Sequence, residues 1–226
     1  MLTSSEYNAL LKIKHNKPFV IRNTFHNLLS ITEFEILLNL TPFTNSKRFR
    51  GTFPVERFEW QLPNWNTGTD HWPIDIVKKV INAGVCYMTD CSRATRKINV
   101  ISSNIESLTN RPVDAHIYFS KSKSLKNGFG IHKDFSDNFI VQVDGETHWQ
   151  VGGKTYYEAD RNINKFKEDD VIFIDTILQP GDAIFIPANV YHSPKNLSKR
   201  ISVSFPSAQE YAKNFEQREW LKWNEI

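Results

Sequence analysis

The spacing of apolar positions changes character once along this chain, at Val113. Before it, helical and extended patterns alternate. Tyr7, Leu10, Leu11 and Ile13 recur at helical spacing and predict a short helix over 5–15. Lys17-Pro-Phe-Val-Ile-Arg22 is apolar and β-branched with Pro near its start, which predicts a strand. Ser30-Ile-Thr-Glu33 has the spacing of a capping box ahead of Phe34, Ile36, Leu37 and Leu38, so a helix is expected over 31–40. Residues 41–72 are rich in Pro, Asn, Thr and Trp and predict short strands and long loops. A helix with Pro in its first turn is expected over 72–81. A strand follows over 84–89, then a helix over 97–108.

From Val113 on, short strands dominate. Ala115–Ser120 alternates, with His116, Tyr118 and Ser120 on one parity and Ala115, Ile117 and Phe119 on the other. Asn138–Val143 and Thr147–Val151 read as a hairpin about a Gly145-Glu146 turn. Gly152-Gly153 reads as a second turn, followed by a strand over 154–157. Strands over 170–175 and 183–187 bracket Gln179-Pro-Gly-Asp182, a strong turn signal. Arg200–Phe205 is the last strand. Tyr211, Phe215, Trp220 and Trp223 then alternate with charges and predict a terminal helix over 207–226. Closely spaced short strands of this kind predict an all-β barrel or sandwich.

Composition narrows the class. With 226 residues, 40% hydrophobic and 23% charged, the chain has the makeup of one globular domain of generous size. A net charge of +3 permits an acidic or nucleic-acid partner without requiring one. Two cysteines, Cys86 and Cys91, supply neither a disulfide framework nor a zinc ribbon. The first residues carry no signal-peptide pattern, and no apolar run approaches the length of a membrane span. These features point to a soluble cytoplasmic protein without a membrane partner.

The candidate chemistry lies in Gly128-Phe-Gly-Ile-His132-Lys-Asp134 and in Pro187-Ala-Asn-Val-Tyr-His192. In an extended chain His132 and Asp134 share a face. With His192 they would complete a two-His, one-carboxylate facial triad, which leaves open positions on non-haem Fe(II).

Three stretches in order resemble the JmjC-type cupin oxygenases, nearest to their ribosomal-oxygenase and cupin-like hydroxylase branch. They are Lys17–Arg22, Ala115–Ser120 with Gly128–Gly145 and Trp149-Gln-Val151, and Leu178–His192. The resemblance implies a mainly β fold, a double-stranded β-helix (cupin or jelly-roll) barrel over 113–206. An N-terminal α/β addition would cover 1–112, and a terminal helix would close or dimerise the molecule. It implies Fe(II) on His132, Asp134 and His192, with 2-oxoglutarate and O₂ as co-substrates. The implied reaction couples decarboxylation of 2-oxoglutarate to hydroxylation of a C–H bond, most naturally on a protein or peptide side chain. Two alternatives stand beside it: a small-molecule or RNA-modifying oxygenase, and a metal-binding cupin that does not turn over 2-oxoglutarate.

One departure from the family is specific. Fifteen residues after the first metal His these enzymes normally carry a Lys or Arg for the distal carboxylate of 2-oxoglutarate; here the residue is Thr147. Other 2-oxoglutarate oxygenases use an Arg-x-Ser pair on the last strand, and Arg200-Ile-Ser202 has that spacing. An inward Arg200 favours the enzyme, an outward one the binding module. Thr147, Tyr118 and Asn138 are further candidate donors to the co-substrate. Lys121, Lys123 and Lys126 are expected as a basic loop, and Trp149, Tyr156 and Tyr157 as packing.

Overall fold

The computed structural model describes residues 1–44, 48–52, 57–58, 77–78, 81–82, 84–121, 130–153 and 166–208. The helices described from end to end are α1 (Ser4–Leu11), α2 (Ile31–Thr44) and α3 (Arg96–Thr109). The strands are β1 (Phe19–Ile21), β2 (Phe49–Thr52), β3 (Arg57–Phe58), β4 (Val85–Met88), β5 (His116–Ser120), β6 (Ser136–Gly152), β7 (Ile172–Leu178), β8 (Ala183–Ile186) and β9 (His192–Ala208).

Local chemistry sets the helix starts. The Ser30 hydroxyl accepts from the Glu33 amide at 3.1 Å, and the Glu33 carboxylate takes the Ser30 amide at 2.7 Å, so the expected capping box forms. Thr3 and Glu6 make a second one on α1. Buried Glu6 also accepts from Lys97 at 2.7 Å, which ties α1 to α3. Thr95 caps α3 and donates to the Leu28 carbonyl at 2.8 Å. Each such cap stabilises its helix by about 1 kcal/mol.

The architecture rests on β6 and β9, which pair antiparallel from Ser136↔Ala208 to Val151↔His192. The first half of β6 also pairs β8, and β8 pairs β1. The second half of β9 pairs β5, which leads on to β4, β2 and β3. The other half of the β6–β9 ribbon turns away and takes β7 as its neighbour. The ribbon therefore belongs to a large sheet at one end and a small sheet at the other. The result is a mainly β double-stranded β-helix.

Side-chain alternation assigns the two faces of the large sheet. Ile117, Phe139, Val141, Val203 and Phe205 point outward into a core with Leu10, Phe25, Ile98 and Ile101. Burying each large apolar side chain there contributes about 1.5–3 kcal/mol. Ile140, Ile184 and Ile186 point inward and meet Trp149, Val151 and Leu178 of the small sheet. The site occupies the polar remainder of this inner space.

The hairpin expected at Gly145-Glu146 does not form. Residues 136–152 are one strand, and its register with β9 shifts between Gln142 and Asp144 and again between Gly145 and Thr147. The shifts change the inward parity from 138, 140 and 142 to 147, 149 and 151. Gly145 takes φ +72°, as glycines at bulges do, and the sequence shows the same glycine for a bulge as for a turn. A Cβ at Gly145 would sit 1.6 Å from the Lys199 carbonyl oxygen. Gly145→Ala is therefore expected to cost about 3 kcal/mol or more, since the left-handed strain adds to a backbone clash. A thermal melt of the variant beside the parent checks it.

Other differences are smaller. Ser207 and Ala208 continue β9 instead of starting the expected terminal helix, because they pair with Asp137 and Ser136. The rest of that helix, the 154–157 strand, and Lys123, Lys126, Tyr156 and Tyr157 lie outside the described residues. So does most of the 72–81 helix, although 77–78 and 81 are helical. Among the described residues no helix is long and apolar enough to cross a membrane.

Candidate metal centre

His132 and His192 face each other across an isolated antiparallel bridge. The His132 amide donates to the His192 carbonyl at 3.0 Å, and the His192 amide donates back at 2.8 Å. Reciprocal bonding of this kind holds two side chains side by side. The flanking loops are pinned as well. The Asn189 amide donates to the Asp134 carbonyl at 2.7 Å, and the Asp137 carboxylate takes the Ala188 amide at 2.8 Å and Arg111 at 2.7 Å.

Both imidazoles use Nδ1 on the backbone: His132 on the Gly130 carbonyl and His192 on the Val190 carbonyl, each at 3.0 Å. With Nδ1–H engaged by a carbonyl, Nε2 is the lone-pair nitrogen in each neutral ring. Asp134 Oδ2 lies 3.6 Å from His192 Nε2. One ligand atom from each of His132, Asp134 and His192 falls within 4.8 Å of the others, close enough to share a single ion. The donor set, two neutral imidazoles and one carboxylate on one side of a cavity, fits Fe(II).

Asn138 sits behind the carboxylate. It donates to Asp134 Oδ2 at 2.8 Å, and its own oxygen accepts from the Ser204 hydroxyl. Asn138 thus orients a candidate ligand, a role its sequence position alone did not assign. Asn138→Ala is expected to weaken Fe(II) binding by about 10–100-fold, as losses of ligand-orienting partners do. Competition with a metal-binding dye measures it.

The cavity inside the barrel measures about 140 Å³ and runs from His132, Asp134 and His192 down to Arg200. Arg200 faces inward and is 5% exposed. Its Nε donates to Ser202 at 3.0 Å and its Nη1 to the Asn196 side chain at 3.1 Å. Its guanidinium lies 5.8 Å from the Tyr118 ring and 5.7 Å from the Trp149 ring. Among the described residues no carboxylate pairs with it. Burial pulls its pKa down to about 10, so it stays charged at neutral pH. Burial also raises the Tyr118 hydroxyl, with Asp134 adding to the effect, so the phenol stays protonated.

The remaining candidates divide. Tyr118 lines the cavity, stacked on Tyr87 with centroids 5.1 Å apart. Thr147 is buried on the inner face, and its hydroxyl has no partner among the described residues. Ser202 lies beside Arg200 and acts on it directly. Trp149, expected only as packing, also forms cavity wall, and Tyr87 does so without having been a candidate. The bulge in β6 explains the Trp149 miss, because its parity cannot be counted across an unseen extra residue. His148 points outward to Asp175 at 2.6 Å, which lowers the Asp175 pKa.

Comparison with known proteins agrees with this fold. The model of the JmjC domain matches residues 92–215. A probable ribosomal oxygenase of Haemophilus influenzae is 36% identical over 67 residues, covering 28% of this chain and 17% of that protein. A bifunctional lysine-specific demethylase and histidyl-hydroxylase NO66 of Drosophila mojavensis is 25% identical over 125 residues, covering 51% of this chain and 14% of the relative. This chain therefore spans less than a fifth of either relative's length. Among solved structures, YcfD, a ribosomal oxygenase from Escherichia coli, in complex with cobalt and succinic acid, superposes with TM-score 0.60 at 20% identity. The superposition covers 94% of this chain and 54% of YcfD. YcfD with cobalt and 2-oxoglutarate gives TM-score 0.57 over 87% of this chain and 49% of YcfD. The likeness to YcfD is one of fold. With the family model matched across most of the barrel, the chain belongs to the JmjC-domain family.

Proposed function

We propose that this protein is an Fe(II)- and 2-oxoglutarate-dependent oxygenase that hydroxylates a C–H bond on a protein or peptide side chain. The observation that carries the reading is the buried guanidinium of Arg200, without a carboxylate partner among the described residues, in the same cavity as the triad. A buried charge without a counter-ion is costly, so a site that keeps one is matched to an anion. A dicarboxylate that reaches a metal with one end and Arg200 with the other fits both features.

In this reading His132 and His192 present Nε2, and Asp134 presents Oδ2, to the ion. Arg200 takes the distal carboxylate, replacing the cation that Thr147 lacks, and Ser202 and Asn196 hold its guanidinium in place. The Thr147 and Tyr118 hydroxyls are donors at the same end. Bound Fe(II) would activate O₂, the oxidant, with 2-oxoglutarate as its reductant: one O₂ oxygen would enter succinate as CO₂ leaves, and the other would enter the substrate. Ile140, Trp149 and Pro194 form the apolar part of the cavity wall.

The names of the relatives, ribosomal oxygenase and histidyl-hydroxylase, support a protein substrate. The whole of 1–226 is read as one cupin unit with its barrel over 113–206. Buried free thiols at Cys86 and Cys91 suit a reducing cytoplasm. Incubation with Fe(II), 2-oxoglutarate and ribosomal proteins tests the reading. Succinate formation with a one-oxygen mass gain on a side chain is expected; absence of succinate with every protein, peptide and small-molecule substrate argues for a metal-binding cupin.

A further inference from the structure

We propose that Asp137 and Arg111 are positioning residues of the metal centre, and that their ion pair holds the turn leading to His192 in register with Asp134. The inference rests on the metal half of the reading above and does not depend on 2-oxoglutarate.

Asp137 lies in β6, three residues after Asp134, and its side chain is buried. A carboxylate is kept in such a place when its oxygens are hydrogen-bonded and its charge is matched. Here the partners come from two distant parts of the chain. Oδ1 accepts the Ala188 amide at 2.8 Å, and Oδ2 accepts Arg111 at 2.7 Å. Ala188 belongs to the 187–190 turn, which the Val190 amide closes on the Pro187 carbonyl at 3.3 Å, with Asn189 left-handed at φ +62°. The next amide, that of Asn189, donates to the Asp134 carbonyl at 2.7 Å. Two consecutive amides of the turn therefore hang on the segment that bears Asp134. Directly after this turn the chain delivers His192 to its bridge with His132.

Arg111 is itself held in place. It follows the end of α3, and beyond it Val113 bridges to Ser207, which pairs in turn with Asp137. The Val113 amide also donates to buried Glu106 of α3 at 3.0 Å. The end of β9 thus stands between the arginine's segment and Asp137, and the metal centre is buttressed from α3. A carboxylate suits this task because it offers two acceptors to two donors. A carboxamide would turn its NH₂ towards one of them. Ligands held in place before the ion arrives bind it more tightly.

The experiment is a titration of the full chain with Co(II), whose visible d–d bands report the arrangement of its ligands, for the parent and for Asp137→Asn. The substitution keeps the size of the side chain and removes one acceptor. Co(II) is expected to bind about 10-fold more weakly, at the lower end of the losses caused by removing outer partners of metal ligands. The d–d bands of the saturated complex are expected to shift as well. Arg111→Met, at a part-exposed site, is expected to move both readings in the same direction, and it decides the matter if Asp137→Asn does not fold. A parent-like dissociation constant or a parent-like spectrum would make the ion pair purely structural and overturn the inference, while the metal centre stands. A parent that binds no Co(II) would overturn both.

Discussion

Replacing Asp134 with Ala is expected to lower Fe(II) affinity by more than about 100-fold and to leave no measurable turnover. Loss of a ligand-orienting partner alone costs about 10–100-fold, and Asp134 is the ligand itself. Two neutral imidazoles would remain, and the ion would lose its one anionic protein donor. Folding is expected to survive. Asp134 holds its loop through its backbone carbonyl, which accepts from Asn189, and the substitution leaves that bond in place. Its carboxylate is part-exposed, so no deep cavity opens. Metal titration together with a thermal melt separates the two quantities. A variant that binds Fe(II) as the parent does would remove Asp134 from the centre.

Arg200→Met is expected to have opposite effects on stability and on binding. In the free protein the guanidinium is buried without a carboxylate partner among the described residues, so replacing it with an apolar chain of similar length should be neutral or stabilising. The freed Asn196 oxygen offsets part of that gain, since it loses a 3.1 Å bond. Binding of 2-oxoglutarate should fall by about 100-fold, because two charge-assisted bonds contribute about 1.5–3 kcal/mol each and not all of that is lost when Thr147 and Tyr118 remain. Differential scanning calorimetry with and without 2-oxoglutarate reads both. The expected result is a melting temperature equal to or above that of the parent, with the ligand-induced rise largely lost. A large fall in the melting temperature without ligand would make Arg200 a structural residue.

The sequence was legible wherever one local rule decided the outcome. Ser30 and Glu33 announce a helix start by capping chemistry, and Gln179-Pro-Gly-Asp182 announces a turn; both require only neighbours in the chain. The inward parity of Arg200, Ser202 and Ser204 could be counted because no extra residue interrupts β9 there. On β6 the same counting breaks down at Gly145. The glycine marks an irregularity but does not say whether the strand turns back or merely bulges, and only pairing with β9 decides it. The positions of Trp149 and Tyr87 in the cavity were hidden for related reasons: one lies past the bulge, the other on a strand whose place in the sheet is set by long-range pairing to β5. Asn138 was legible as a polar inward residue but not as a partner of Asp134, because that depends on side chains meeting across the loop.

A ferrous ion and 2-oxoglutarate are expected to meet in this barrel. The most direct measurement is an anaerobic titration of the Fe(II)-loaded protein with 2-oxoglutarate, following the visible metal-to-ligand charge-transfer band, beside Arg200→Met. A saturable band is expected in the parent, with much higher 2-oxoglutarate needed to raise it in the variant. Bound iron with no band at any 2-oxoglutarate concentration would contradict it and leave a metal-binding cupin whose ligand is something else.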